Sequence, residues 1–289
     1  MSPPKPATVS LDGAPVRDRI LEGLTGRIRG AGSPDICLAT VLVGDDGPSR
    51  RYVASKHRTA QQVGIRSVGV ELPASTTQSE VEAAVGRLVA DPGVHGILVQ
   101  MPLPGHLDAD RVLALIPPDK DVDGLTEASL GRLVRGVPGH VGCTPLGVMR
   151  LLAHYGIETA GRRAVVIGRS TLVGLPMALL LARKGVDATV TLAHSRTDDL
   201  VAVCRDADII VSATGTARSI SVQHVKPGAV LIDVGISRTE AGVVGDIDFD
   251  AVQGVASGVT PMPGGTGLLT VACLMENTVE AARMQGVRI

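Results

Sequence analysis

The fold is decided by the stretch Ala164-Val165-Val166-Ile167-Gly168-Arg169-Ser170-Thr171-Leu172-Val173-Gly174. Four apolar residues lead into a glycine, and an apolar segment with helical spacing begins at a second glycine six positions later. This order predicts a strand, a tight turn and a helix N-terminus, which is where α/β proteins bind phosphate groups. Because Ser170 stands where the G-x-G-x-x-G fingerprint has its middle glycine, a purely structural strand–helix turn remains an alternative.

The composition bounds the class of protein. With 289 residues, 44% of them hydrophobic and 20% charged, the chain is long enough for two packed domains. One Phe, two Tyr and no Trp leave a core of Val, Leu, Ile and Ala. The formal net charge of −1 and the lack of a basic stripe with aromatic residues argue against a nucleic-acid partner.

The cysteines and histidines are dispersed along the chain. The four cysteines form no CxxC pair, and we find no signal peptide, which predicts a reduced cytoplasmic protein. The seven histidines show no HxxxH or HExxH spacing, so we expect no metal site. No apolar run reaches the roughly 20 residues of a membrane span, so we expect no membrane association.

Strand-like and helix-like patterns alternate along the chain. The predicted strands are 36–44, 66–72, 94–100, 164–167, 188–192, 208–212 and 229–233, and the predicted helices are 14–29, 49–63, 77–90, 108–115, 146–155, 175–184, 198–205 and 268–284. The alternation predicts α/β architecture with helices on both faces of parallel sheets, hence three layers. The pattern restarts after Pro145, so residues 136–144 are a predicted linker between two domains, and the Pro-rich residues 1–7 are expected to be frayed.

Glycine-rich or polar motifs follow six of these strands. They are Gly44-Asp45-Asp46, Gln100-Met101-Pro102-Leu103-Pro104, Gly168-Arg169-Ser170, His194-Ser195-Arg196-Thr197, Ala213-Thr214-Gly215 and Gly235-Ile236. Ligands of open α/β sheets bind beyond the carboxyl ends of strands. We therefore expect the two domains to flank a cleft that these motifs line.

Four residues of the first half are candidates for chemistry. Tyr52 and Lys56 stand four apart on one predicted helix, so they share a face. A desolvated lysine can act as an acid or base, although a solvated lysine beside an interfacial tyrosine is the simpler alternative. Gln100 at a strand end suits a ligand or a lysine, or is only a turn residue. Asp123 could pair with an amino-bearing ring, or it could cap the turn of Asp121-Val122-Asp123-Gly124.

Ser195 and Arg196 follow the second predicted strand of the second half. NAD sites usually carry an acidic residue near this position, for the ribose 2′-hydroxyl. A hydroxyl and a guanidinium suit a 2′-phosphate instead, which favours NADP, unless Arg196 is simply an exposed loop residue.

Together these motifs resemble the bifunctional methylenetetrahydrofolate dehydrogenase/cyclohydrolase family, the FolD type, from about residue 11 to residue 283. The segments that carry the resemblance are Ser49–Lys56, Gly96–Pro104, Asp121–Gly124, Cys143–Pro145, Gly168–Pro176, His194–Thr197, Ile232–Ile236, Gly245–Asp248 and Thr260–Gly265. The resemblance implies oxidation of 5,10-methylenetetrahydrofolate to 5,10-methenyltetrahydrofolate with NADP, then hydrolysis to 10-formyltetrahydrofolate. It places the chain in one-carbon metabolism and purine biosynthesis.

The resemblance also implies domains and residue roles. Residues 1–140, completed by the C-terminal helix 268–289, would bind folate, and residues 141–267 would form a Rossmann-like NADP-binding domain that forms a homodimer. Lys56 would be the general acid/base, Gln100 would set its protonation state, and Asp123 would hold the amino edge of the pterin. Further substrate contacts would be Tyr52, Ser49, Pro102, Gly264 and Gly265. The cofactor contacts would be Gly168, Arg169, Ser170, Val173, Gly174, Ser195, Arg196, Thr214, Gly215 and Ile236.

The sequence departs from the family at two places, and three alternatives stay open. Gly142 replaces a common proline, and Thr266-Gly267-Leu268-Leu269-Thr270 replaces Val-Gly-Pro-Met-Thr. The alternatives are a dehydrogenase with weak hydrolysis, an NADP-binding regulatory module without turnover, and another two-domain dehydrogenase that acts on a small carboxylate, such as a shikimate dehydrogenase-like protein.

Overall fold

The computed structural model describes residues 7–240 and 242–289; the predicted frayed segment lies outside them except for its last residue. The strands are β1 Val9–Ser10, β2 Cys37–Val43, β3 Arg66–Leu72, β4 Gly96–Val99, β5 Arg163–Ile167, β6 Thr189–Ala193, β7 Ile209–Ser212, β8 Val230–Asp233, β9 Ser237–Thr239, β10 Gly242–Val244 and β11 Gly258–Val259. The α-helices are α1 Gly13–Gly30, α2 Gly47–Val63, α3 Gln78–Ala90, α4 Ala109–Leu113, α5 Glu127–Arg135, α6 Cys143–His154, α7 Gly174–Ala182, α8 Leu200–Arg205 and α9 Gly267–Met284.

These elements form two compact units, which we name by their sheets. The three-stranded unit comprises Asp18–Cys143 and Val271–Ile289, and the six-stranded unit comprises the described residues up to Arg17 together with Thr144–Thr270. Each unit has its own parallel sheet and its own hydrophobic core. The predicted α/β class is confirmed.

The three-stranded unit has the sheet order β3-β2-β4, and both pairs are parallel. Its core is built from aliphatic residues and one cysteine: Cys37, Ala39, Val41, Val43, Val81, Val85, Leu88, Val94, Ile97, Val99, Val112 and Ile116. Helix α2 begins where the Asp46 side chain accepts a hydrogen bond from the Ser49 backbone N–H at 2.8 Å, and it ends at Gly64 in the left-handed region. These caps fix where the side chains of α2 lie above the sheet.

The six-stranded unit has the sheet order β1-β11-β8-β7-β5-β6, and every neighbouring pair is parallel. Strands β7 and β8 are almost fully buried, which explains their continuous apolar runs. Because all strands point the same way, the segments after β5, β6, β7 and β8 meet at one edge of the sheet.

The structure corrects several predicted boundaries. Helix α6 begins at Cys143, so the last two residues of the predicted linker 136–144 are helical; Pro145 is tolerated there because a first-turn N–H has no intrahelical partner. The predicted elements do not include α5, although Thr126 caps it and Gly136 ends it in the left-handed region. They also do not include the β9–β10 hairpin or the two-residue strands β1 and β11, which are too short for a periodic pattern.

Candidate active site

Helix α2 places Lys56 in the interior of the three-stranded unit. Lys56 is only 6% exposed, and its Nζ lies 5.7 Å from the centroid of the Tyr52 ring one turn earlier. Burial lowers the pKa of Lys56, and the negative charge of Asp123 opposes this shift. The structure therefore excludes the alternative of a solvated lysine and leaves an amine that can give up its proton more readily than an exposed one.

The side chain of Gln100 holds Lys56. Gln100 follows β4, where its backbone N–H donates to the Val41 carbonyl at 2.8 Å. Its amide nitrogen donates to the Met101 carbonyl at 2.7 Å, which leaves Oε1 to accept a hydrogen bond from Lys56 Nζ at 2.9 Å. An amide oxygen gives the lysine a partner without a counter-charge, so it does not reverse the effect of burial on the pKa.

Two aspartates of one turn differ in their roles. Asp121 is buried, and its carboxylate accepts from the backbone N–H groups of Leu125 at 3.2 Å and Thr126 at 2.9 Å. Asp121 thus stabilises the turn through these two backbone hydrogen bonds. Burial raises the pKa of the Asp123 carboxyl, while the charge of Lys56 and a hydrogen bond from Cys143 lower it. Asp123 is therefore the aspartate of this turn whose negative charge raises the pKa of Lys56.

Cys143 also belongs to this cluster, although the sequence predicted no role for it. Its single thiol hydrogen faces two acceptors, the Val122 carbonyl at 3.4 Å and the Asp123 carboxyl. Burial raises the pKa of the thiol well above its usual value, and the Asp123 charge adds to the effect. Cys143 is thus a neutral hydrogen-bond donor. The Cys143–Pro145 motif carried no spacing signal that would have indicated this.

The other predicted substrate contacts fall in both units. Ser49, in the first turn of α2, and Pro102, two residues after Gln100, belong to the three-stranded unit. Gly264 and Gly265 belong to the six-stranded unit, where the Gly264 carbonyl accepts from the Gly13 N–H at 2.8 Å. Gly265 is buried and packs tightly within this unit, because an added Cβ would lie 2.6 Å from the Pro261 carbonyl oxygen.

The turn between β5 and α7 has the geometry of a phosphate-binding loop. Gly168 has φ of +119°, a conformation that favours glycine, and a Cβ at Gly174 would collide with the Gly168 carbonyl. The Ser170 hydroxyl accepts from the Val173 N–H at 3.2 Å, and its own hydrogen stays free to donate. Val173, the residue that precedes α7, provides no side-chain cap, so a phosphate fits this helix end.

The remaining predicted cofactor contacts follow the neighbouring strands β6, β7 and β8 at the same sheet edge. Ser195 and Arg196 are exposed in a turn that is closed by the Thr197 hydroxyl, which accepts from the His194 N–H at 2.9 Å. Thr214, Gly215 and Ile236, which follow β7 and β8, are exposed, and so are Arg169 and Ser170 in the turn after β5. This edge of the sheet thus carries the turn of Gly168 and Gly174, the N-terminus of α7 and the exposed side chains of Arg169 and Arg196. The combination fits a dinucleotide that carries an additional phosphate.

Comparison with known proteins supplies the deciding observation. The family model for the tetrahydrofolate dehydrogenase/cyclohydrolase catalytic domain matches residues 11–123, and the model for the NAD(P)-binding domain of the same family matches residues 142–286. The chain belongs to the tetrahydrofolate dehydrogenase/cyclohydrolase family. The family predicted from the sequence motifs is thus confirmed, and the alternative of a two-domain dehydrogenase from another family is excluded.

Individual members of the family are similar over almost their whole length. The bifunctional protein FolD of Methanoculleus marisnigri is 50% identical over 276 residues, which cover 95% of this chain and 96% of the relative. The crystal structure of bifunctional FolD from Campylobacter jejuni is 42% identical with a TM-score of 0.93, covering 96% of this chain and 99% of that one. FolD of Trypanosoma brucei, solved with NADP and an inhibitor, is 38% identical with a TM-score of 0.90, covering 96% and 98%.

Two features are absent from the residues that the structure describes. Among residues 7–240 and 242–289, no helix is both long and apolar enough to cross a membrane. The same residues bring together no group of three or more His, Cys, Asp or Glu side chains that could hold a metal ion.

Proposed function

We propose that this member of the tetrahydrofolate dehydrogenase/cyclohydrolase family oxidises 5,10-methylenetetrahydrofolate with NADP and then hydrolyses the methenyl product to 10-formyltetrahydrofolate. The observation that carries the proposal is the buried Lys56, held on Gln100 at 2.9 Å with a lowered pKa beside Asp123. A regulatory protein without turnover has no need for a desolvated lysine, since burying an amine is costly.

In the oxidation, the residues of the chain bind NADP and the folate substrate and orient them toward each other. NADP, when bound, accepts a hydride from the substrate. The turn from Gly168 to Gly174 holds its phosphates, and the exposed edge of the six-stranded sheet holds the rest of the dinucleotide. Tyr52, 37% exposed, offers its ring to the flat pterin, and Asp123 accepts hydrogen bonds from the pterin amino group. Orientation is the main contribution of the protein, because the folate nitrogens themselves stabilise the cation that hydride loss leaves.

In the hydrolysis, Lys56 moves protons. Water must lose a proton as it attacks the methenyl carbon, and a ring nitrogen must gain one as the ring opens. Neutral Lys56 Nζ accepts the first proton and donates it to the nitrogen. A lysine that stayed charged would repel the cationic substrate, so the low pKa that burial produces suits both halves of the reaction.

We further infer that the three-stranded unit is the folate-binding domain and the six-stranded unit is the NADP-binding domain. Val271–Ile289 then belong to the folate-binding domain, whereas the described residues up to Arg17, which the predicted boundary 1–140 includes, belong to the NADP-binding domain. The separate matches of two family models support a division near residue 140. By analogy with the family, we further propose a cytoplasmic homodimer that supplies formyl groups to purine biosynthesis.

We expect Arg196→Ala to weaken NADP selectively. Hydrogen bonds to a charged phosphate contribute about 1.5–3 kcal/mol, so the KM for NADP should rise roughly 10- to 100-fold while the KM for NAD stays the same. Steady-state kinetics with both coenzymes measure the ratio. Arg183→Ala, an exposed arginine after α7, is the matched control and should leave the ratio unchanged. An unaltered NADP preference in Arg196→Ala would assign the 2′-phosphate to other residues.

Purified protein with 5,10-methylenetetrahydrofolate and either NADP or NAD tests the function as a whole. We expect absorbance to show NADPH formation with little accumulation of the methenyl compound, because both steps use one enzyme. Partial accumulation of the methenyl compound would mean that hydrolysis is the weaker activity, and accumulation equal to the NADPH formed would reject the hydrolytic half. Absence of NADPH and NADH would reject the dehydrogenase half.

A further inference from the structure

Two buried carboxylates lie beneath the loops that carry the proposed cofactor contacts. Asp233 is the last residue of β8, and Asp246 follows the β9–β10 hairpin. Their exposed fractions are 2% and 0%. Burying two carboxylates in one region is unfavourable unless hydrogen-bond donors surround them. We therefore ask which donors they bind and what those bonds hold in place.

The Asp233 carboxylate accepts three backbone hydrogen bonds. Its Oδ1 accepts from the N–H groups of Gly235 and Asp246, each at 3.0 Å. Its Oδ2 accepts from the Ile247 N–H at 2.8 Å. The Asp233 main chain is held as well, because the Thr266 hydroxyl, at a position where this chain departs from its family, donates to the Asp233 carbonyl at 2.8 Å. Asp233 thereby joins the segment after β8 to the segment that contains Asp246.

The Asp246 carboxylate reaches the loop after β7. Its Oδ2 accepts from the Ser212 hydroxyl at 3.0 Å and from the N–H groups of Thr214 at 2.6 Å and Gly215 at 3.3 Å. Its Oδ1 is buried without a hydrogen-bond partner and lies against Gly235, where a Cβ would collide with the carboxylate. Asp233 is packed against Gly245 in the same reciprocal way.

The bond to Thr214 also reaches the phosphate loop. The peptide plane that contains the Thr214 N–H carries the Ala213 carbonyl on its opposite side, because a peptide is planar and trans. That carbonyl packs on Gly168, where a Cβ would collide with it. Rotating the peptide away from Asp246 would therefore move the group that supports Gly168.

We propose that Asp233 and Asp246 are positioning residues for the dinucleotide: Asp246 fixes the Ala213–Thr214 peptide behind Gly168 and the Thr214–Gly215 turn, and Asp233 fixes Asp246. The inference rests on the proposed NADP-dependent function. The carboxylates lie beneath the loops and act through the backbone. A carboxylate suits this role because its two oxygens can accept hydrogen bonds from several N–H groups at once. Unlike a hydroxyl or an amide, it carries no hydrogen of its own that would need an acceptor.

The test is Asp246→Ala, assayed for both activities. Asparagine would keep an oxygen for the three donors, which all bind Oδ2, whereas alanine removes that acceptor. Binding sites must be held to about 0.5 Å, so we expect the KM for NADP to rise by about 10-fold or more, with a smaller change in kcat. Hydrolysis of 5,10-methenyltetrahydrofolate needs no dinucleotide, and its rate should stay within about 2-fold of the wild type. Asp208→Ala is the matched control, because this aspartate precedes β7 and accepts from Arg163 N–H and Lys226 at the other end of the sheet. It should change neither value.

The outcomes separate the inference from the function on which it rests. A wild-type protein without NADP-dependent oxidation rejects the proposed function. A wild-type protein with both activities and an Asp246→Ala variant with the wild-type KM for NADP reject the positioning role. If Asp246→Ala loses both activities, Ser212→Ala decides, because it removes one donor to the same Oδ2 atom. A KM for NADP raised about 3-fold, with hydrolysis intact, then supports the role, and an unchanged KM rejects it.

Discussion

Replacing Lys56 with methionine is expected to slow the hydrolysis of 5,10-methenyltetrahydrofolate by about 10²- to 10⁴-fold, which is the usual contribution of a positioned general acid or base. Methionine keeps an unbranched side chain in the buried space of Lys56 but has no group that can carry a proton. The oxidation of 5,10-methylenetetrahydrofolate should lose no more than the hydrolysis, because it needs orientation and no proton from the enzyme. Initial rates of each half-reaction measure the difference.

The pH profile of the hydrolysis provides an independent check. Neutral Nζ is the form that accepts a proton, so the rate should fall as the pH falls through the pKa of Lys56. Because burial lowers that pKa, the limb should lie below pH 10.5, where an ordinary lysine titrates. Lys56→Met should lack this limb. Lys184→Ala, an exposed lysine after α7, should keep both the rate and the profile. Full hydrolysis in Lys56→Met would remove Lys56 from the mechanism.

Gly174→Ala should abolish most NADP binding. The added Cβ would collide with the Gly168 carbonyl and would lie 2.9 Å from the Arg169 nitrogen. Both obstacles are backbone atoms of the phosphate-binding turn, so the turn must open to admit the methyl group. We expect the KM for NADP to rise by about 100-fold, and the free energy of unfolding to fall by about 1–3 kcal/mol, as for other overpacked sites. Titration with NADP and chemical denaturation give the two values.

Hydrolysis distinguishes a local effect of Gly174→Ala from a loss of the fold. Lys56, Gln100 and Asp123 all belong to the three-stranded unit, whereas Gly174 belongs to the six-stranded unit. The variant should therefore keep hydrolysing the methenyl compound. Gly86→Ala is the control, since no atom lies within 4 Å of the added Cβ inside α3; it should leave both activities intact and stabilise the helix by up to about 1 kcal/mol. Wild-type affinity for NADP in Gly174→Ala would place the phosphates elsewhere.

The sequence predicted the long elements well because their signals are local. The strand that became β5 ends at a glycine, and α2 ends at Gly64, so residues at the boundaries carried the information. Strand β11 and the β9–β10 hairpin are only two or three residues long and depend on partners distant in sequence. Likewise, the spacing of Tyr52 and Lys56 on one helix identified them as candidates but could not decide between a solvated and a buried lysine, because burial depends on residues distant in sequence.

What the sequence by itself determined is the α/β class, the motifs at the strand ends and, through their order along the chain, the family. Each of these depends on residues close together in the chain, which set the turns and helix starts directly. Only the tertiary structure decided the state of the site. Lys56 loses its solvent and gains Gln100, 44 residues away, and Asp246 reaches the Thr214 N–H, 32 residues away. A pKa and the orientation of a peptide depend on such neighbours in space, and local sequence patterns do not specify them.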